Sequence, residues 1–399
     1  MNAAGLICEY NPFHNGHKYM LEKIREEGSK CIIACMSGNF TQRGDPAIIN
    51  KHLRTKAALE NGVDLVIELP VIYACSGAES FARGGVHILN SLGICSRLYF
   101  GSECGNVEKL SYAAEAVKNN SVKEPLHHYL SEGLTFASAR ENAVKDVYGR
   151  EISDILKEPN NILAIEYINS LLRSHSNIAP HTIQRVGTSH DSTQTEDCFA
   201  SASRLRQLLY AGESINKYIP ENTSELYNNS TFPHGGRLSV LERTILYRMR
   251  SMSTEDFSKL PDMSEGLENR LIKAVRSCNT VEEILQMTKC KRYTMSRIRR
   301  SIIHSLLGLS SDDFNTEPQY IKILGFNDNG RKALKEMKKH SLLPVIIKYS
   351  DTSGLSKAAK RMYETECRCD DIYALSGSTV TPCGSNMRDN PVIVNCRKI

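Results

Sequence analysis

No apolar run in this chain approaches the ~20 residues needed to cross a bilayer as a helix, so a membrane-spanning class and a membrane partner are not expected. The N-terminus has no basic segment ahead of a long apolar stretch and no small-residue cleavage pattern, and Ala3–Cys8 is too short for a secretion signal. Both absences point to the cytoplasm. A second Cys/His pair is missing too: Cys367-Arg368-Cys369 is the one close pair, and nothing at zinc-finger spacing accompanies it, so no metal site is assigned. The thirteen cysteines are odd in number, and many, such as Cys8, Cys31 and Cys35, lie in apolar runs. They read as buried reduced thiols rather than disulfides. There is no repeat of fixed period, and the net charge of +5 is too small by itself to indicate nucleic acid.

What remains is 399 residues, 41% apolar and 24% charged, ordinary for a soluble globular protein of two or three domains. Over the first 120 residues, short buried-strand runs (Ala3–Glu9, Cys31–Met36, Asp64–Leu69, Arg97–Phe100) alternate with amphipathic stretches (Asn15–Glu27, Asn50–Asn61, Ala78–Leu92, Val107–Lys118). That rhythm predicts an α/β fold with a Rossmann-like, doubly wound parallel sheet. Its ligands belong beyond the carboxyl ends of the strands, where strand order reverses. Leu126–Arg173 reads as mostly helical, His181–Val186 as a further strand, and Ser201–Tyr210 as a helix capped by its serine. The expected division is a catalytic domain over 1–212, a linker or long loop over 213–236, a mainly helical, basic region over 237–378 with a strand at Leu343–Lys348, and a poorly ordered or extended tail over 379–399.

The most informative stretch follows the first strand: Glu9-Tyr10-Asn11-Pro12-Phe13-His14-Asn15-Gly16-His17. Strand, turn and helix start succeed one another there. Two imidazoles separated by Asn-Gly face a phosphate together, with helix amides behind them. Such a site holds a nucleotide triphosphate and stabilises charge as its α-phosphate is attacked. Gly16 is read as clearance for adenine or ribose near the backbone. The bland alternative is two solvated histidines capping a helix. The Ser37–Arg43 loop should face the same cleft, with Arg43 or Lys51 on a carboxylate or an RNA backbone, or merely exposed. Lys18 reaches phosphate or solvent. Glu68 and Glu103 hold Mg²⁺ indirectly or cap neighbouring helices.

At these residues the chain resembles the HIGH-type nucleotidyltransferase superfamily. Four further motifs narrow the likeness: Met36-Ser37-Gly38-Asn39-Phe40-Thr41-Gln42-Arg43-Gly44, Asp64-Leu65-Val66-Ile67-Glu68-Leu69-Pro70, Phe100-Gly101-Ser102-Glu103 and Pro159-Asn160-Asn161-Ile162-Leu163. Together they resemble the tRNA(Met) cytidine acetate ligase family, strongly over about the first 210 residues and more loosely beyond. The resemblance implies ATP, with Mg²⁺, activating acetate as acetyl-adenylate for transfer to the N4 amine of the wobble cytidine of elongator tRNA(Met). It implies His14 and His17 as catalytic. It implies an ATP site from Ile7, Cys8, Glu9, Tyr10, Asn11, Pro12, Phe13, His14, Asn15, Gly16, His17, Lys18, Tyr19 and Met20, with Gly101, Arg185 and either Asn161 or its neighbour Asn160. Ser201-Ala202-Ser203-Arg204-Leu205-Arg206 resembles the superfamily's second phosphate element, with Ser203 and Arg206 toward the β/γ-phosphates. Ser203 stands where Thr is more frequent, and Ala164 where Gly is.

The C-terminal half carries the basic clusters. Lys289–Arg300 holds six positive charges and no negative ones, and Arg331, Lys332, Lys335, Lys338 and Lys339 follow. Met295, Ile298, Ile302 and Leu306 share one helical face, leaving Lys291, Arg292, Arg297, Arg300 and His304 as candidates for tRNA phosphates and Tyr293 for stacking on a base. No obligate protein partner is expected. The competing functions are a small-molecule adenylyltransferase, against which the long basic half argues, and a non-catalytic RNA-binding protein on the same scaffold, against which the intact His14, Gly16, His17 and Arg206 set argues.

Overall fold

The computed structural model describes residues 2–185, 198–228, 236–377 and 379–395. Eight strands form one sheet: β1 (Ala3–Cys8), β2 (Ile32–Ser37), β3 (Leu65–Leu69), β4 (Cys95–Ser102), β5 (Ala179–Gln184), β6 (Ile321–Phe326), β7 (Val345–Ile346) and β8 (Val392–Ile393). The spatial order is β5-β4-β1-β2-β3-β6-β7, with β8 also on β6. The first five strands are parallel. β2 and β3 are buried on both faces, which is why they read as continuous apolar runs rather than alternating ones.

After β3 the chain crosses back to the other side of β1 to lay down β4. The crevice beyond the carboxyl ends of β1 and β4 is therefore the topological switch point. The helices Asn15–Glu26, Lys51–Glu60 and Ala78–Ser91 follow the expected stretches to within a residue or two, and Asn50 caps the second by accepting from the Leu53 amide. Val186 lies outside the described residues.

The C-terminal half is mainly helical, with Glu242–Arg250, Leu267–Ser277, Val281–Thr288, Met295–Leu307, Asp328–His340 and Lys357–Tyr373 as its main helices. Yet it does not stand apart. β6 runs antiparallel to β3 in the register Leu65–Phe326 and extends the first sheet. Leu343–Lys348 supplies only the short β7.

The 213–236 segment is also more than a connector. Its helix Glu221–Asn228 packs on Lys51–Glu60, and Tyr227 accepts a hydrogen bond from the Phe13 amide at 2.9 Å; residues 229–235 lie outside the described residues. The tail is tied into the fold, since β8 covers the edge of β6 and buried Asn386 accepts from Lys322 and Lys51; residues 396–399 lie outside the described residues.

Candidate active site

β1 delivers the chain into a turn in which Tyr10 is left-handed (φ +48°), and His14 becomes the N-cap of the Asn15–Glu26 helix. The histidines are neither solvated nor independent. His14 Nδ1 accepts from the Gly16 amide at 3.1 Å, His17 Nδ1 accepts from the His14 amide at 3.2 Å, and the rings stack with centroids 3.6 Å apart. A neutral imidazole whose Nδ1 accepts carries its proton on Nε2. Burial, with the Arg185 and Arg206 charges beyond it, pushes the His14 pKa down to about 3. Burial, then His14 and Arg185, hold His17 well below its ordinary value. Both rings are thus neutral Nε2–H donors. Gly16 serves this arrangement first: a Cβ there would stand 3.0 Å from the His14 ring, so its clearance belongs to the imidazole as well as to any ligand.

A cavity of about 620 Å³ opens at the switch point, lined by Ile7, Cys8, Glu9, Tyr10, Asn11, His14, His17 and Met20 from the first motif. Gly101, Arg185, Ser203 and Arg206 join them. A smaller annex of about 100 Å³ shares His14, His17 and Gly101 and adds Gly16, Tyr19 and Phe199. Arg206 is aimed by two contacts, donating to the Asn11 carbonyl at 2.8 Å and to Ser203 Oγ at 3.1 Å, while Ser201 caps its helix. Arg185 lies across Gly101, where a Cβ would meet its Cγ at 3.3 Å.

Other members of the expected set support the walls. Phe13 is fully buried, Pro12 is buried beside it, and Asn15 donates to the Cys198 and Lys217 carbonyls, tying the helix start to the Ser201–Arg206 element. Lys18 is exposed and lines neither space. Asn160, not Asn161, lines the cavity; Asn161 is buried with Oδ1 accepting from the Cys104 amide at 3.0 Å. Glu103 holds both, accepting from Asn160 Nδ2 and the Asn161 amide, so it caps that helix. Gln42 and Arg43 of the Ser37–Arg43 loop line the cavity, whereas sequence reasoning missed Leu6, Phe81, Phe100, Leu163 and Tyr167 in its wall. Being apolar or neutral, most of them carry no local signal beyond membership of a core.

Lys51 faces no ligand. It is fully buried, bonded to Asp370 and, at 2.5 Å, to Glu68, which also pairs with Lys322 at 2.9 Å. Burial alone would lower the Lys51 pKa, but Asp370 and Glu68 hold it well above its usual value. Burial would raise Glu68, yet Lys322 and Lys51 bring it down to about 2. Glu366 is pushed well up, by burial and then by Glu68 and Asp370. Glu68, Glu366 and Asp370 are the one trio of donors among the described residues spaced to hold a metal ion, and two ammonium groups already fill it.

The basic helix is likewise redirected. Arg297 donates to the Asp262 carbonyl at 2.8 Å and pairs with Glu265 at 2.9 Å; Arg300 donates to the Gln42 carbonyl at 3.1 Å; Arg299 pairs with Asp45 at 3.0 Å. Gly44, at φ +75°, lets the Arg299–Arg300 backbone seat on its loop, since a Cβ there would lie 2.4 Å from the Arg300 nitrogen. Tyr293 and His304 are buried, bonded to the carbonyls of Glu265 and Cys75. Arg299 and Arg300 pin the loop after β2, while Arg297, Tyr293 and His304 hold the 262–265 turn and the segment after β3, so Arg297, Arg300, Tyr293 and His304 are engaged within the chain. Lys291 and Arg292 are exposed. The cysteines among the described residues are free thiols, and no helix there is long and apolar enough to cross a membrane.

The HIGH Nucleotidyl Transferase family pattern matches residues 1–386. A Thermoanaerobacter sp. (strain X514) protein named tRNA(Met) cytidine acetate ligase is 44% identical over 387 residues, covering 94% of this chain and 96% of that protein. The crystal structure of apo Thermotoga maritima TmcAL superposes with a TM-score of 0.92 at 33% identity, over 99% of this chain and all (100%) of that one. The same protein bound with alpha-thio ATP gives 0.91 at 32% identity, with the same coverage.

Proposed function

The chain belongs to the tRNA(Met) cytidine acetate ligase family of HIGH nucleotidyl transferases, and we propose that it joins acetate to a tRNA(Met) cytidine at the expense of ATP. A carboxylate oxygen of acetate attacks the α-phosphorus of ATP, the bond to the β-phosphate oxygen breaks, and pyrophosphate leaves. The N4 amine of the wobble cytidine of elongator tRNA(Met) then attacks the acetyl carbonyl, loses a proton and expels AMP. A cytosolic RNA of that kind puts the work in the cytoplasm.

One observation carries this reading: two neutral imidazoles with Nδ1 occupied by backbone amides, leaving both Nε2–H groups for the ligand at the β1/β4 crevice. The catalytic assignment rests on His14 and His17. They donate where negative charge develops on the α-phosphate, and need no reorganisation to do so. Arg206 and Ser203 take the departing pyrophosphate, with Arg206 already oriented by the Asn11 carbonyl. Arg185 and Asn160 complete the nucleotide walls. Of the three carboxylates lining the cavity, Glu9 accepts from the Gln42 amide, Glu103 caps the helix that starts at Pro159, and Glu158 immediately precedes that helix; among the described residues they are not grouped at metal-ligand spacing. They form no cage for Mg²⁺, and an ion accompanying ATP is expected on the phosphates. The test is pyrophosphate exchange into ATP that requires acetate, followed by labelled acetate appearing in tRNA(Met). Exchange with another acid or a coenzyme precursor, or RNA binding with no exchange, would replace this reading.

A further inference from the structure

With Arg297 and Arg300 committed internally, the basic half presents its unpaired cations elsewhere. The Glu242–Arg250 helix buries Ile245 and Met249 against Met295–Leu307 and is fixed there by Arg248 donating to the Ser305 carbonyl at 3.2 Å. Its opposite face carries Arg243, Tyr247 and Arg250 at spacings of four and three, one helical stripe. Tyr247 is 76% exposed, more than any other aromatic side chain among the described residues. Arg250 borders two adjoining hollows. One, of about 530 Å³, lies along Arg243 and Tyr247. The other, about 300 Å³, has a floor of Met249, Ile272 and Val275 and brings Arg276 to its mouth. No acidic residue lines either hollow. Among the described residues, Arg243, Arg250 and Arg276 have no carboxylate partner; Arg250 is held by donating to the Cys278 carbonyl at 3.1 Å.

An exposed aromatic face between guanidinium groups without carboxylate partners, beside a slot with an apolar floor, a polar rim and no acid, matches one chemistry. Bases stack on the ring, the slot takes a planar base, and the arginines meet phosphates. We propose that the groove between the Glu242–Arg250 and Leu267–Ser277 helices is a second RNA-binding site, taking an unpaired nucleotide of the tRNA substrate other than the modified cytidine. The proposal rests on the reading that the acceptor is tRNA. It gives the enzyme a hold on the tRNA body separate from the cavity where acetate is activated.

The test uses the full chain. Tyr247→Ala is expected to weaken tRNA(Met) binding about tenfold, in keeping with the loss of one stacked base, while Tyr247→Phe binds like the parent. Arg243→Ala with Arg276→Ala is expected to reduce the slope of log affinity against log salt by roughly 1.5, two phosphate contacts' worth. KM for tRNA moves in Tyr247→Ala and in the double-arginine protein but not in Tyr247→Phe, while in all three acetate-dependent pyrophosphate exchange stays at the parent rate, which also shows that the variants fold. Unchanged tRNA affinity, KM and salt slope in both the Tyr247→Ala and the double-arginine proteins overturns the proposal, including in favour of an acidic protein partner on this face. A parent enzyme that binds tRNA but lacks acetate-dependent exchange would instead strike the proposed function, and the affinity arm would still judge the groove.

Discussion

Beyond β3, Lys51 and Lys322 face Glu68 and Asp370 at contact distance, and burial, then Glu68 and Asp370, push the pKa of the Glu366 carboxyl beside them well up. Beyond β1 and β4, Arg185 and Arg206 stand beside two imidazoles, with backbone carbonyls and Ser203 rather than carboxylates steering Arg206. Both regions sit at strand ends of one sheet, and both remove charge from water. The first is closed on itself, so its charges do structural work: Asn39 and Asp370 tie the loop after β2 to the C-terminal Lys357–Tyr373 helix. The second brings Arg43, Arg185 and Arg206 to an open cavity that Glu9, Glu103 and Glu158 also line, so its cations stay within reach of an anionic substrate. A cation's type and position in the sequence did not distinguish these roles; burial against Glu68 and Asp370 in one case, and placement on an open cavity in the other, did.

The largest test of the closed region is Lys51→Met. It leaves Glu68 and Asp370 buried with Lys322 alone, and breaking one partner of a buried pair costs about 3–5 kcal/mol. Urea unfolding should show the loss directly, and adding Asp370→Asn should return part of it. A variant that unfolds at the parent's midpoint would mean that the cluster does not hold the two halves together.

The open region responds through rate rather than stability. His17→Ala removes one Nε2–H donor and the ring stacked on His14. Loss of a single transition-state donor typically costs about 10²–10³ in rate, so acetate-dependent pyrophosphate exchange should fall by that order while tRNA affinity holds. Exchange within tenfold of the parent would remove His17 from the chemistry.

Much of this was legible locally. Strand-turn-helix order placed the histidines at the end of β1, and alternating apolar runs marked the first four parallel strands, with the fifth read separately at His181–Val186 and observed at Ala179–Gln184. What escaped was non-local. The β3–β6 pairing joins residues some 260 positions apart (Leu65 with Phe326). Lys51 finds Asp370 across 319 positions. Nothing near Lys51 in sequence announces a carboxylate waiting for it, so it read as a free cation. Arg297 and Arg300 misled for the same reason: a basic run looks solvated until the carbonyls of Asp262 and Gln42 are brought beneath it. The choice between Asn160 and Asn161 stayed open because helical rotation, not identity, decides which of two adjacent amides faces a cavity.

The pH dependence of the empty enzyme is the finest probe of the contrast. The His14 pKa, pushed down to about 3 by burial and by Arg185 and Arg206, lies below the ~6.5 of an unfolded histidine. Between those values the unfolded chain binds the extra proton and the folded chain does not, so stability is full above ~6.5 and declines as pH falls toward the folded pKa. At about pH 5 the deficit from this one group is roughly 2 kcal/mol. His17 acts in the same direction. In the buried cluster Glu68, at about 2, stays ionised at pH 5, while Glu366, raised by burial and then by Glu68 and Asp370, works in the opposite direction to His14 and does so equally in parent and variant. Urea unfolding at about pH 7.5 and about pH 5 should therefore show the parent losing more stability than His14→Gln, which keeps a cap acceptor but cannot take the proton. Equal losses would mean that the imidazole is already solvated without its ligand, and that the neutral Nε2–H donor forms only once ATP has closed the crevice.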